Sequence, residues 1–144
     1  MGFFDGFRRP DINEGVREFG SAPGAVLLDV RSAREYGECH IPGSRNVPLQ
    51  DISGSQPIPA GKSTPLYVYC YSGARSGQAA AALRRMGYTN VKNIGGIASW
   101  RGAIERRYKR SGAKALRRSV RICDKVTEAR GDLRYTRHIQ YGRK

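Results

Sequence analysis

Residues 67–83 read YVYCYSGARSGQAAAAL. Tyr67 to Cys70 is apolar and strand-forming, and Ala79, Ala82, Leu83 and Met86 recur after it at helical spacing. The stretch reads as a buried strand ending on a cysteine, a tight loop, and a helix over 75–86 that Gly87 stops. Ser72, Gly73 and Ala74 are small enough for the backbone to bend sharply. Successive N–H groups in such a bend converge and make an anion-binding nest. The helix N-terminus adds partial positive charge, and Arg75 adds a full one. All three favour a thiolate at Cys70, which lowers its pKa and makes it a nucleophile facing an anionic substrate. A buried structural cysteine is the competing reading. Cys39 and Cys123 receive that plainer reading.

The neighbouring elements follow from local signals. Asp11 or Asn13 caps a short helix through Phe19, and SAPG (21–24) stops it. AVLLDV (25–30) is a continuous apolar run of the kind found in buried parallel strands. Ser32 with Glu35 three residues on is a capping box for a helix over AREYGE (33–38). HIPGS (40–44) turns the chain, RNVPL (45–49) is a short strand, and 50–65 is a Ser-, Gly- and Pro-rich loop. VKNI (91–94) is a further strand, and GGIASWRGAI (95–104) reads as a turn into a last helix. Strand alternates with helix, which implies an α/β fold: a parallel sheet with helices on both faces and right-handed crossovers. Asp29 and Cys70 stand at the carboxyl ends of predicted strands, where such sheets bind ligands.

Charge divides the chain. The formal net charge is +14 over 144 residues. Residues 1–100 hold 11 Lys+Arg against 8 Asp+Glu, whereas 101–144 hold 15 against 4. Residues 1–105 are therefore read as a globular domain and 106–144 as a basic C-terminal extension, flexible or partly helical. Leu116, Val120 and Cys123 fall at helical spacing, so 113–129 could form a basic amphipathic helix for nucleic acid or an acidic surface. A solvated tail is the plainer reading. Three cysteines without a CxxC argue against a disulfide framework and for reduced thiols in the cytoplasm. No apolar run has the length of a membrane span. The start MGFFDGFRRP lacks a signal-peptide apolar region, and Gly6 breaks the myristoylation pattern that Gly2 opens. Phe3, Phe4 and Phe7 are read as capping the core or fraying rather than as an anchor.

Three motifs, in this order and spacing, resemble the single-domain rhodanese sulfurtransferases. They are D-x-R-x-x-x-E-Y with H-I-P-G-S (29–44), C-x-x-G-x-R (70–75) and G-G-x-x-x-W (95–100). The resemblance covers roughly residues 10–104. Cys39 departs from it, since the family usually has Gly before the His. The resemblance implies a rhodanese-like fold and a ping-pong transfer of sulfane sulfur through a Cys70 persulfide. The donor would be a small anion such as thiosulfate, or a persulfide. The acceptor would be cyanide or a thiol, a thioredoxin-like protein among them. It implies an N–H cradle from Tyr71, Ser72, Gly73, Ala74 and Arg75, with Arg75 capping it and reaching the donor's sulfonate. Asp29, Arg31, Glu35 and His40 match the first motif and are read as scaffold and rim. No cofactor or metal is implied.

Two other classes stay open. Phosphatases and arsenate reductases use a related cradle, C-x5-R, with five residues between Cys and Arg. Here four separate Cys70 from Arg75, which leaves less room for three phosphate oxygens gripped at once. No carboxylate general acid lies near the loop. The third class is a non-catalytic binding module whose working part is the basic tail.

Overall fold

The computed structural model describes residues 9–54 and 58–107. The readings of Phe3, Phe4, Phe7, Cys123 and the 113–129 helix lie outside them. Four parallel strands form one sheet in the order β2-β1-β3-β4: β1 Val26–Asp29, β2 Ser44–Asn46, β3 Leu66–Cys70 and β4 Val91–Gly96. Among the described residues three helices accompany them: α1 Ile12–Ser21, α2 Ala33–Glu38 and α3 Ala74–Arg85.

Period-two alternation sorts the strand residues between the two faces. Leu28, Val30, Val68 and Cys70 join Ala79 and Leu83 of α3 in one buried cluster. Leu27, Tyr69 and Ile94 join Ile12 of α1 in the other, with Val16 and Phe19 packed against it. The sheet thus has a helix on each face, as the alternation of elements predicts.

The caps form as their sequence dictates. The Asp11 side chain accepts from Asn13 N–H at 2.9 Å. Ser32 accepts from Glu35 N–H at 3.2 Å while Glu35 accepts from Ser32 N–H at 2.9 Å, which completes the capping box. Gly87, with φ +94°, lies just past the end of α3.

Three expectations are corrected. The segment 95–104 does not enter a helix within the described residues: a single 3-10 turn, Ile97–Ser99, is followed by extended backbone at Trp100. The chain instead returns to α2, where Glu105 N–H donates to the His40 carbonyl at 2.8 Å and His40 N–H to that of Glu105 at 2.9 Å. The Trp100 indole N–H donates to the Ala103 carbonyl, which fixes this return. Met86 is exposed, since α3 ends at Arg85 and its buried face is Ser76, Ala79, Ala80 and Leu83. Cys39 is disulfide-bonded, whereas Cys70 is free. An odd cysteine count argues against several bridges but is compatible with one.

Asp29 and Arg31 are both fully buried. Arg31 Nε donates to Asp29 Oδ1 at 3.0 Å and Nη2 to Oδ2 at 2.6 Å, while Nη2 also reaches the Cys39 carbonyl at 2.7 Å. Burial pulls the guanidinium's pKa down, but the Asp29 carboxylate outweighs it and holds it above the ordinary value. Asp29→Asn keeps the shape and leaves Arg31 buried without its counter-ion. The expected cost is roughly 3–5 kcal/mol. In a thermal melt this appears as a fall of about 15 °C or more.

Candidate active site

The loop after β3 begins at Cys70 and ends where Gly73 caps α3. Gly73 has φ +104°, a left-handed conformation that side-chain-bearing residues rarely adopt. The turn brings Gly73 N–H to 3.0 Å from Cys70 Sγ. The N–H groups of Ser76 and Ser72 also stabilise the charged sulfur, and the Ser76 hydroxyl lies 3.4 Å from it. Cys70 is only 1% exposed. Burial pushes the thiol up, yet these hydrogen bonds outweigh it and the thiol lies below the ordinary range. An inert core cysteine shows the opposite balance.

The loop rests on the end of β4. A Cβ at Gly96 would sit 2.1 Å from the Tyr71 carbonyl oxygen and 2.5 Å from Ser72 Cα, so only glycine lets the loop lie there. Ala98 N–H donates to that same Tyr71 carbonyl at 3.1 Å. The second glycine of the G-G-x-x-x-W motif is thereby part of the loop's platform.

The residues singled out by sequence fall into separate places. Ser72 and Ala74 are exposed on the loop, and Tyr71, Gly73 and Arg75 are partly buried. Arg75 does not stand free over the sulfur. Its guanidinium grips Glu35 through two bonds, Nη1 to Oε2 at 2.8 Å and Nη2 to Oε1 at 3.0 Å. Asp29 and Arg31 are bonded to each other beneath β1's end. His40 is engaged away from the sulfur: it stacks on Tyr36 at 3.8 Å, its Nδ1 lies 2.8 Å from the Tyr36 carbonyl, and its Nε2 is 3.4 Å from Glu105.

Two residues at the site were not singled out from sequence. Ser76 is fully buried, and its hydroxyl lies 2.8 Å from Asn93 Oδ1. A usable signal existed for each. Ser76 falls three residues before Ala79 on the buried helix face, where a hydroxyl must find partners. Asn93 shares a strand face with Val91, which packs into the α3-side core.

The family model for the Rhodanese-like domain matches residues 14–103. The chain therefore belongs to the rhodanese-like family. It is 39% identical over 72 residues to the thiosulfate sulfurtransferase PspE of Escherichia coli, covering 49% of this chain and 68% of that one. It is 37% identical over 93 residues to the thiosulfate sulfurtransferase GlpE of Pseudomonas savastanoi, covering 64% and 83%. Among solved structures, a rhodanese with anions from E. coli superposes with a TM-score of 0.51 at 33% identity, over 57% of this chain and 98% of that one. The chain spans between 64% and 68% of the length of the first two curated relatives it matches.

The Glu35–Arg75 pair gives a pH test. Burial raises the Glu35 carboxyl, but the Arg75 guanidinium and the Ser32 N–H and hydroxyl outweigh it and hold it at about 2, against an ordinary 4.5. The folded carboxyl titrates lower than the unfolded one, so the pair stabilises fully above about pH 4.5 and loses its contribution as pH falls toward 2. Glu35→Gln should lower the melting temperature by about 5 °C at neutral pH, since the pair is partly exposed. Its acid limb between pH 4.5 and 2 should be flatter than wild type. Parallel acid limbs would show that the pair contributes nothing.

Proposed function

We propose that this protein is a rhodanese-type sulfurtransferase that carries sulfane sulfur on Cys70. One observation supports the reading above the rest: hydrogen bonds hold a buried thiol below its ordinary pKa. Such a thiol gives up its proton more readily than an ordinary one while shielded from water, which suits a nucleophile. Relatives named thiosulfate sulfurtransferase agree with it.

In the first half-reaction the Cys70 thiolate attacks the outer sulfur of thiosulfate. A Cys70–sulfur bond forms, the sulfur–sulfur bond of the donor breaks, and its electron pair leaves with sulfite. Cys70 then carries a persulfide with one negative charge on the outer sulfur. In the second half-reaction cyanide or a thiolate attacks that outer sulfur, and the electron pair returns to Cys70 Sγ. The products are thiocyanate or a new persulfide. No outside oxidant is needed, because a neutral sulfur atom passes from donor to acceptor: sulfite keeps the charge of thiosulfate, and thiocyanate keeps that of cyanide.

In this reading Tyr71, Ser72, Gly73, Ala74 and Arg75 bind the donor, mainly through main-chain N–H groups. Arg75 contributes chiefly by fastening the loop to α2, because Glu35 already takes its charge. Asp29, Arg31, Glu35 and His40 act as scaffold. A thioredoxin-like protein is a fitting thiol acceptor, and the cytoplasm a fitting location. The decisive experiment is mass spectrometry after exposure to thiosulfate. The Cys70 peptide should gain one sulfur, and cyanide should remove it. Cys70→Ser should lose sulfur transfer to background, since a serine cannot hold a persulfide. Near wild-type turnover in that variant would sink the assignment.

The uneven charge favours a polyanionic partner as well. Residues 101–144 carry a formal +11. Full-length protein should bind a single-stranded oligonucleotide with a log–log salt slope of about −3 or steeper. A chain ending at Arg107, which keeps the Arg107 N–H bond to the Gly37 carbonyl, should lose that binding. Equal binding by both would remove the tail from the account.

A further inference from the structure

The Ser76 hydroxyl has one hydrogen and four acceptors around it. Asn93 Oδ1 lies at 2.8 Å, the Gly73 carbonyl at 3.0 Å, the Gly95 carbonyl at 3.3 Å and Cys70 Sγ at 3.4 Å. The Asn93 amide cannot turn to relieve this. Its Oδ1 accepts from Gly95 N–H at 3.0 Å, and its Nδ2 donates to the Gly73 carbonyl at 3.2 Å. Asn93 therefore presents an acceptor to Ser76 at all times. The Gly73 carbonyl has donors of its own in Gly77 N–H and Asn93 Nδ2, and the Gly95 carbonyl, at 3.3 Å, lies farther off than the Asn93 oxygen. The real contest for the hydrogen is between a neutral amide oxygen and a sulfur whose charge changes.

We propose that Ser76 is a positioning residue whose hydroxyl hydrogen is shared between Asn93 Oδ1 and Cys70 Sγ, moving to the sulfur whenever the sulfur carries the charge. Hydrogen bonds to an ionised acceptor are roughly twice as strong as neutral ones. A thiolate therefore draws the hydrogen across, while a neutral or persulfidated Sγ returns it to the shorter amide contact. Buried, the hydroxyl has no water to compete with. The inference builds on the sulfur-transfer reading, in which Sγ regains its electron pair as the acceptor departs with the outer sulfur. Ser76 is placed to stabilise that returning charge, and Asn93 to hold the hydroxyl ready in between.

Charged groups around the sulfur come from three elements: Arg75 on α3, Glu35 on α2, and Asp29 with Arg31 at the end of β1. The variants below leave all four unchanged, and β4 contributes the neutral Asn93.

The test is the pH profile of iodoacetamide alkylation on the full chain, read by mass spectrometry on the Cys70 peptide. It needs no sulfur donor, so it reports on the hydroxyl even if sulfur transfer itself were disproved by Cys70→Ser. Ser76→Ala should react about tenfold more slowly on the acid limb, with an unchanged alkaline plateau. Asn93→Ala removes the competing acceptor and should react faster than wild type on that limb. A Ser76→Ala profile that superposes on wild type overturns the proposal, as does a slower acid limb in Asn93→Ala. If Asn93→Ala does not keep its fold, the Ser76 variants decide alone. Ser76→Thr retains the hydroxyl and should keep the wild-type profile, and a threonine variant as slow as alanine overturns the proposal.

Discussion

Arg31 and Asp29 are ionised groups withdrawn from water, and the geometry of the site hangs on their pairing. Neither could be buried alone, because an unpaired charge in the interior costs several kcal/mol or more. The pair spends its remaining hydrogen-bonding capacity on the backbone. Arg31 Nη2 holds the Cys39 carbonyl at the end of α2, and Asn46 of β2 donates to the carbonyls of both Asp29 and Arg31. α2 is thus fixed against the carboxyl end of β1. From there Glu35 reaches Arg75 in the first turn of α3. The thiol's surroundings follow from a carboxylate that never meets solvent.

Two opposing effects act on Cys70. Burial penalises the thiolate, and main-chain N–H groups with one hydroxyl favour it. The second set prevails because those dipoles are already oriented by the loop and need no reorganisation. The full charge of Arg75 is less available than its position suggests, since two short bonds bind it to Glu35. Oriented partial charges do the work that a nearby cation would otherwise be credited with.

What the sequence made legible was local. The capping box at Ser32 and Glu35, the strand ends at Asp29 and Cys70, and the glycine that stops α3 each depend on residues within a few positions of one another. The motif spacing extended this to the family. What stayed hidden was long-range: Glu35 meets Arg75 across 40 positions and Ser76 meets Asn93 across 17. Neither pairing leaves a trace in periodicity. The helix expected after Gly96 failed for a related reason. Local composition allowed it, but pairing of Glu105 with His40 across the fold drew the chain out straight.

The loop's attachment through main-chain atoms has an evolutionary consequence. Tyr71 is held by its carbonyl, Ser72 lies with its Cα over Gly96, and Gly73 contributes its N–H. Those ties do not depend on which side chains stand at 71, 72 and 74, and the side chains at 72 and 74 face outward. Acidity of the sulfur and the character of the rim are therefore separable traits. A lineage could exchange the rim while Cys70 Sγ kept its properties. Diversification at the mouth and constancy at the floor would arise from one backbone arrangement.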